Sequence, residues 1–369
     1  MIKILHLNTE NGWRGGENQM RLLIEGMKGQ PEFENHVAAL ANSDCFATFK
    51  SICPTLPLIS RFAYHIWQAK KIANYCRLNK IQILDAQTAR THSLAILVKL
   101  FQPELKLVVH RRVDNKPGHS ILSRKKYYSP KVNAYIAISD AIKNILINTG
   151  VKPDKIAVVK SAVPDLPYLG LNKKAEKELW AKRLKLNGNA IWFGNASAIA
   201  HQKAYDILLH ATKILVEKTN NVHCLIAGTG PQEEEIKSLS TKLGLSNHVT
   251  FVGFTKEIPS FLSALDILAV PSNNEGLGTI ILEGIHAGCA VVASSVGGIP
   301  EMIHHQKTGL LIPPGNSVNL AQEIISLIES PNLRYKLIMN AQKHAKDYFS
   351  VEAMVKGNMQ VYRSLITAI

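Results

Sequence analysis

Residues 271–284 read Pro-Ser-Asn-Asn-Glu-Gly-Leu-Gly-Thr-Ile-Ile-Leu-Glu-Gly and follow directly on the apolar run Ile-Leu-Ala-Val at 267–270. A short apolar run, a glycine-rich turn and a second apolar segment read as strand, loop and helix, the repeating unit of a parallel α/β sheet. The loop carries Glu275, and Gly276 to Gly278 form a backbone cradle. A helix beginning near Thr279 would turn its free amides toward that cradle, where a diphosphate fits. Glu283 lies further along the same helix. Two carboxylates eight residues apart suit hydroxyl groups, one set on a sugar ring and the other on a ribose.

The same rhythm extends outward in both directions. Apolar, β-branched-rich runs at 190–193, 222–227, 249–252 and 290–293 alternate with helix-like stretches, and an earlier set does so at 2–7, 36–40, 81–84, 105–109, 134–138 and 156–159. Each set implies a buried parallel sheet. A chain of 369 residues also exceeds the usual single core, so two domains are expected, 1–165 and 166–350. Pro164, Pro167 and Gly170 open a Lys/Glu-rich connection and place the hinge near 162–172. Helical patterns occupy 318–329, 332–348 and 351–367, and pattern alone assigns the last of these to neither domain.

Composition narrows the class. Apolar residues make up 46% and charged residues 19%, as in an ordered globular protein. The five cysteines, Cys45, Cys53, Cys76, Cys224 and Cys289, form no C-x-x-C pair, which suggests reduced thiols and a cytoplasmic setting. The chain enters a strand pattern at once, and no run approaches about 18 apolar residues, so neither a signal peptide nor a membrane span is expected. The net charge of +15 is uneven: residues 1–165 hold 24 Lys and Arg against 12 Asp and Glu, and residues 166–369 hold 19 against 16. A positive field of this kind serves phosphates, nucleic acid or an anionic membrane. Nucleic acid is disfavoured, because no zinc-ligand spacing, RNP-like aromatic motif or helix-turn-helix signal accompanies the charge.

The stretch 61–78 places Phe62, Ile66, Ala69, Ala73 and Cys76 on one face, with Arg61, His65, Lys70, Lys71 and Arg77 elsewhere. It reads either as a membrane-surface helix, peripheral on the inner face of a membrane, or as a helix packed on a sheet with a solvated basic face. The loop 11–17, Asn-Gly-Trp-Arg-Gly-Gly-Glu, follows the first strand; Gly15 and Gly16 let backbone approach a phosphate, or simply form a tight turn. His110 ends the strand 105–109, at the edge where open α/β sheets hold ligands. His119, nine residues on, competes with it. Arg111, Arg112, Lys116, Arg124, Lys125 and Lys126 make a basic segment there, facing either an anionic acceptor or solvent.

The interval from Glu275 to Glu283 resembles the E-x7-E motif of the retaining glycosyltransferase family 4, whose members have the GT-B fold. Further motifs match in order. Gly15-Gly16-Glu17-Asn18 is similar to the family's N-terminal loop, and Gly228-Thr229-Gly230-Pro231 to its Gly-x-Gly-Pro turn. Phe251-Val252-Gly253-Phe254, Val296-Gly297-Gly298-Ile299-Pro300-Glu301 and Lys307-Thr308-Gly309-Leu310-Leu311 follow the same pattern.

The resemblance implies an α/β protein of two Rossmann-like domains facing each other across a cleft, the first taking a glycan or lipid-linked acceptor and the second a nucleotide diphosphate sugar. The helix at 351–369 would cross back to the first domain. Gly15 and Gly16 would approach the donor diphosphate, Lys203 would neutralise it, Glu275 would hold the transferred sugar and Glu283 the ribose. Amides of Gly276, Leu277 and Gly278 would complete the phosphate site. His110 would lie beside the donor sugar as a catalytic residue with Glu275 and Lys203, with Arg14, Arg111, Arg112 and His119 on the acceptor side. Asp85 and Asp266, at strand ends, would pack or cap. Transfer would retain anomeric configuration and need no metal or other cofactor. One departure stands out: Asn195 occupies the place of the family's Arg, so a cationic donor is lost or replaced by Arg14 or His201. Two rivals remain, a nucleotide-sugar epimerase of the same architecture and a non-enzymatic protein binding polyanions or membrane surfaces.

Overall fold

The computed structural model describes residues 1–13, 15–59, 62, 65–114, 126–219 and 221–367. The chain divides into two compact units, Met1–Ala162 with Val351–Ile369, and Val163–Ser350. The division falls just after Ala162 because Gln19 ties that residue to the first unit: Gln19 Nε2 donates to the Ala162 carbonyl at 2.7 Å, and the Ala162 amide donates to Gln19 Oε1 at 3.0 Å.

In the first unit the order is β1 (Ile2–Leu7), α1 (Gly15–Gly26), β2 (Phe33–Leu40), α2 (Asp44–Phe49), β3 (Thr55–Leu58), α3 (Ile66–Leu78), β4 (Ile83–Ala86), α4 (Ala89–Phe101), β5 (Lys106–Arg111), β6 (Ala134–Ala137), α5 (Asp140–Asn148) and β7 (Ile156–Val158). The strands form one seven-stranded sheet in the order β3-β2-β1-β4-β5-β6-β7, with every pairing parallel. Strands buried on both faces are near-continuous apolar runs for this reason. The order reverses at β1 and β4, which opens a crevice beyond their C-terminal ends.

The second unit comprises α6 (Lys173–Leu184), β8 (Ile191–Ala196), α7 (Tyr205–Lys218), β9 (Val222–Ala227), α8 (Glu233–Lys242), β10 (Val249–Gly253), α9 (Ile258–Ala264), β11 (Ile267–Val270), α10 (Thr279–His286), β12 (Ala290–Ser294), α11 (Ile299–Met302), β13 (Leu310–Ile312), α12 (Ser317–Glu329) and α13 (Pro331–Tyr348). Its six parallel strands run β10-β9-β8-β11-β12-β13, so the reversal falls between β8 and β11. Phe193, Ile226, Ile267 and Val292 on the strands pack with Leu208, Ile324 and Leu337 on the helices to form its core. The last helix, α14 (Val351–Thr367), packs Met354, Val355, Met359 and Tyr362 against Ile4, Ile83 and Val108 of the first unit.

Two strands were not read from the sequence. Pro57 lies in β3, which is tolerated there because β3 is an edge strand, and β13 is only three residues long. The helix expected over 61–78 starts at Ile66, where the His65 side chain accepts from the Gln68 amide. Its apolar positions also divide. Ala69, Ala73 and Cys76 are buried, whereas Ile66 and the adjacent Trp67 remain exposed. No helix among the described residues is long and apolar enough to cross a membrane.

Candidate active site

The switch point of the second unit gathers three chemically distinct groups. Lys203 lies in a 3-10 turn (His201–Lys203) after β8, and Glu275 in the loop after β11. Their backbones are tied where the Asn273 amide donates to the Gln202 carbonyl at 2.8 Å. Lys203 Nζ donates to Glu275 Oε1 at 2.5 Å, and Ser272 Oγ donates to the same oxygen at 2.9 Å. Glu275 is buried and Lys203 largely so, so the pair is held in a low-dielectric pocket. The loop owes its shape to Gly297, which has φ +51° and sits against the Glu275 carbonyl; a Cβ built there would lie 1.7 Å from that oxygen. Gly278 caps α10 in the left-handed region at φ 87°, a conformation that glycine adopts at no steric cost. The free amides of α10 therefore begin directly after the Glu275 loop, and Leu277 anchors that loop by burying its side chain.

Asn195 occupies the penultimate position of β8 and is fully buried, yet neither polar atom of its side chain has a partner among the described residues. A buried amide left so is costly unless something satisfies it. Glu283, on α10, stands in separate surroundings from Glu275. Tyr168 Oη donates to its Oε2 at 3.4 Å, and burial pushes the Glu283 carboxyl up to about 7 against that opposing hydrogen bond.

A carboxyl raised in the folded state makes folding more favourable below its unfolded value, and that stability is lost as pH climbs through about 7. The span from the ordinary range amounts to on the order of 3 kcal/mol. The ligand-free protein should therefore lose stability between about pH 5 and pH 8, and Glu283→Gln should flatten that decline. Parallel unfolding curves for the two proteins would refute the assignment.

In the first unit, Asp85 at the end of β4 is a buried hydrogen-bonding hub. Its Oδ2 lies 2.9 Å from His6 Nδ1 and accepts from Gln87 Nε2 at 2.7 Å and from Tyr362 Oη of α14 at 2.7 Å. His110 Nε2 lies 3.2 Å from Asp85 Oδ1, at an angle poor for a hydrogen bond. Burial alone would raise the Asp85 carboxyl, but His110, His6 and the converging donors hold it well below the usual carboxylate range. Burial also lowers the His110 imidazole, with Asp85 opposing. Asp266, by contrast, does pack and cap: it pairs with Lys177 at 2.6 Å and accepts from the Trp192 amide at 2.9 Å.

Arg111 and Arg112 do not form an open basic face. Arg111 is buried and donates to Tyr127 Oη at 3.0 Å; Arg112 donates to the Gln87 carbonyl at 3.3 Å and lies 3.3 Å from His110 Nδ1. Arg111 thus points inward, while Arg112 is half-buried and its Nε has no hydrogen-bond partner among the described residues. Gly15 and Gly16 open α1 with no other atom within 4 Å of a Cβ built on either, so packing does not dictate glycine there. Arg14 and His119 lie outside the described residues, as do Lys116, Arg124 and Lys125. The described residues contain no group of three or more His, Cys, Asp or Glu placed to hold a metal ion.

Sequence reasoning missed the partners Tyr168, Gln87 and Tyr362. A carboxylate inside the apolar run at 83–86 was the one available signal, since an ionisable group there needs partners.

Two family models match the sequence, "Glycosyl transferases group 1" over residues 176–344 and "Glycosyltransferase Family 4" over residues 13–165. The chain belongs to the GT-B glycosyltransferases of the family 4 type. An uncharacterized glycosyltransferase of Methanocaldococcus jannaschii is 26% identical over 256 residues, which is 68% of this chain and 64% of that protein. Among solved structures, a glycosyltransferase from Rickettsia africae superposes with a TM-score of 0.88 at 19% identity, covering 100% of this chain and 99% of that one. Anabaena HepE in complex with UDP-glucose gives a TM-score of 0.83 at 22% identity, covering 100% of both chains. The aligned region spans between 36% and 64% of the curated relatives' lengths.

Proposed function

We propose that this protein is a retaining glycosyltransferase that takes a nucleotide diphosphate sugar on its second unit and an acceptor on its first, without a metal ion or other cofactor. The observation that carries this reading is the buried Lys203–Glu275 pair, set at the β8/β11 switch point beside the free amides of α10. A bound diphosphate attracts the Lys203 ammonium and the amides near Gly276, Leu277 and Gly278, which releases Glu275 for sugar hydroxyls. Asn195 offers its unpartnered amide to the same phosphates, and Glu283 takes the ribose. Gly15 and Gly16 leave room for backbone to approach the donor.

In the transfer step the bond between the anomeric carbon and the diphosphate oxygen breaks. The acceptor oxygen bonds to that carbon on the same face, and its proton passes to the departing diphosphate. Charge developing on the leaving group is met by preorganised donors, which is where such sites gain most of their rate. His110 faces the donor sugar. The acceptor is a glycan or lipid-linked glycan, and the setting is cytoplasmic.

A thermal-shift panel of UDP-, GDP- and ADP-sugars tests the donor assignment, because a ligand that binds only the folded state raises apparent stability; saturation about 100-fold above Kd is worth roughly 2.7 kcal/mol. The UDP-bound state of Anabaena HepE puts UDP-sugars first in the panel. Release of nucleoside diphosphate with acceptor present, undiminished in excess EDTA, is the expected outcome. Loss of turnover in EDTA restored by magnesium or manganese would refute metal independence. An altered free nucleotide sugar would indicate epimerisation, and polyanion binding without any nucleotide-sugar response would indicate a non-enzymatic role.

A further inference from the structure

We propose that the α3–α4 face of the first unit docks on an anionic lipid bilayer, a surface distinct from the sugar-transfer site and argued independently of it. Trp67 is 74% exposed, Ile66 52%, Leu100 57%, Phe101 42%, and Ile59 in the loop ahead of α3 76%. These side chains come from three segments and are not scattered. Lys70 Nζ lies 5.0 Å from the centroid of the Trp67 ring and 5.6 Å from that of Phe101, so one ammonium joins the start of α3 to the end of α4. Large apolar side chains brought together on a surface usually mark an interaction site.

The charge around them says what kind of partner fits. Residues 45–103 contain eight Lys and Arg and a single acidic residue, Asp85, which is wholly buried. That segment therefore presents no exposed carboxylate of its own; the exposed Glu104 directly follows it, and Glu10 pairs with Arg90 at the far end of α4. Aromatic rings beside ammonium groups on a helix whose opposite face is packed inward match the interfacial zone of a bilayer, where rings sit at headgroup depth and lysines reach the lipid phosphates. A depression of about 400 Å³ lined by Lys99, Leu100, Pro103, Pro130 and Lys131 adjoins the same face at Leu100. A polyanion such as nucleic acid would use the lysines but gain nothing from Ile59, Ile66 and Leu100. The helix-on-sheet packing of Ala69, Ala73 and Cys76 is unaffected, because docking uses the other side of α3.

The test is flotation of the full chain with phosphatidylcholine vesicles, alone and with about one third phosphatidylglycerol, in low salt and in about 0.5 M salt. Binding is expected on the anionic vesicles only, falling at least about tenfold in high salt. Trp67→Ser combined with Phe101→Ser should lower it by about tenfold or more, as should Lys70→Glu. Both sets of positions are largely exposed, so the variants should fold. A nucleotide-sugar thermal shift equal to that of the unaltered protein would show it, with no bearing on the lipid result. No binding to anionic vesicles would overturn the proposal, as would vesicle binding indifferent to the double Ser variant. Heparin or single-stranded DNA bound more tightly than the vesicles would overturn it in favour of a polyanion partner.

Discussion

Replacing Lys203 by Met should lower transfer by about a hundredfold or more and weaken donor binding by roughly 1.5 to 3 kcal/mol, with the fold retained. In the ligand-free protein the ammonium is committed to Glu275 at 2.5 Å. On the proposed reading a donor diphosphate draws it away, and the released carboxylate is then free for the sugar. Binding and catalysis are on that reading coupled through one pair. In Lys203→Met, Glu275 keeps only the Ser272 hydroxyl at 2.9 Å among its recorded side-chain donors, and the leaving diphosphate loses its cation. Glu275→Gln should act differently, weakening the hold on the sugar more than on the diphosphate. UDP affinity should then change little while turnover falls. The double variant should cost less than the sum of the two single changes, as expected for residues that share one interaction. Isothermal titration with UDP and with the intact UDP-sugar, beside initial rates, separates these outcomes. Unchanged affinity and turnover in a folded Lys203→Met protein would remove Lys203 from the donor site.

Much of this architecture is legible in the sequence for a simple reason. Strands buried on both faces are continuous apolar runs, and eleven of them stand out at β-α spacing. Those that escaped notice are β3, where Pro57 interrupts the run at the sheet edge, and the three-residue β13; β7 is as short, but its apolar run continues through Val159. The loop after β11 is legible because its parts are adjacent in the chain: Glu275, Gly278 and the start of α10 fall within a few residues. The Asp85 hub of the first unit is not local in this way. Tyr362 and Asp85 are 277 residues apart and meet only because α14 lies on the sheet beside β1 and β4. Charge counting misleads for a related reason. Arg111 adds to the positive total of the first 165 residues, but nothing in a sequence says that it is buried against the Tyr127 hydroxyl. Asn195 is the opposite case, a residue whose oddness in sequence persists as a buried amide without a partner among the described residues.

The second large effect is expected at Asp85. Its Oδ2 collects donors from Gln87 and Tyr362 and the approach of His6, while Oδ1 faces His110, so the ionised carboxylate is the form these groups stabilise. Asp85→Asn replaces one acceptor oxygen with an amide that must point its own hydrogens at a donor. Breaking a buried charged hub of this kind costs on the order of 3 to 5 kcal/mol of stability. Tyr362→Phe removes a single donor and should cost about 1 to 3 kcal/mol. The pH dependence gives a separate readout. Because the Asp85 carboxyl is held below its usual range, the stability it contributes is present above the ordinary carboxylate value and is lost only as pH falls through the depressed one. Weakening its donors by Tyr362→Phe should move acid unfolding to higher pH, and Asp85→Asn should remove that component. If Asp85 also positions His110 for the donor sugar, Tyr362→Phe should lower kcat with little change in KM, and adding it to His110→Ala should cost no further activity. The readings that decide this are acid-unfolding midpoints and the kcat of the single and double variants at a temperature where all are folded. Loss of stability with kcat unaltered would make the hub purely structural. Additive losses with His110→Ala would show that Tyr362 and Asp85 serve the reaction by a route other than His110.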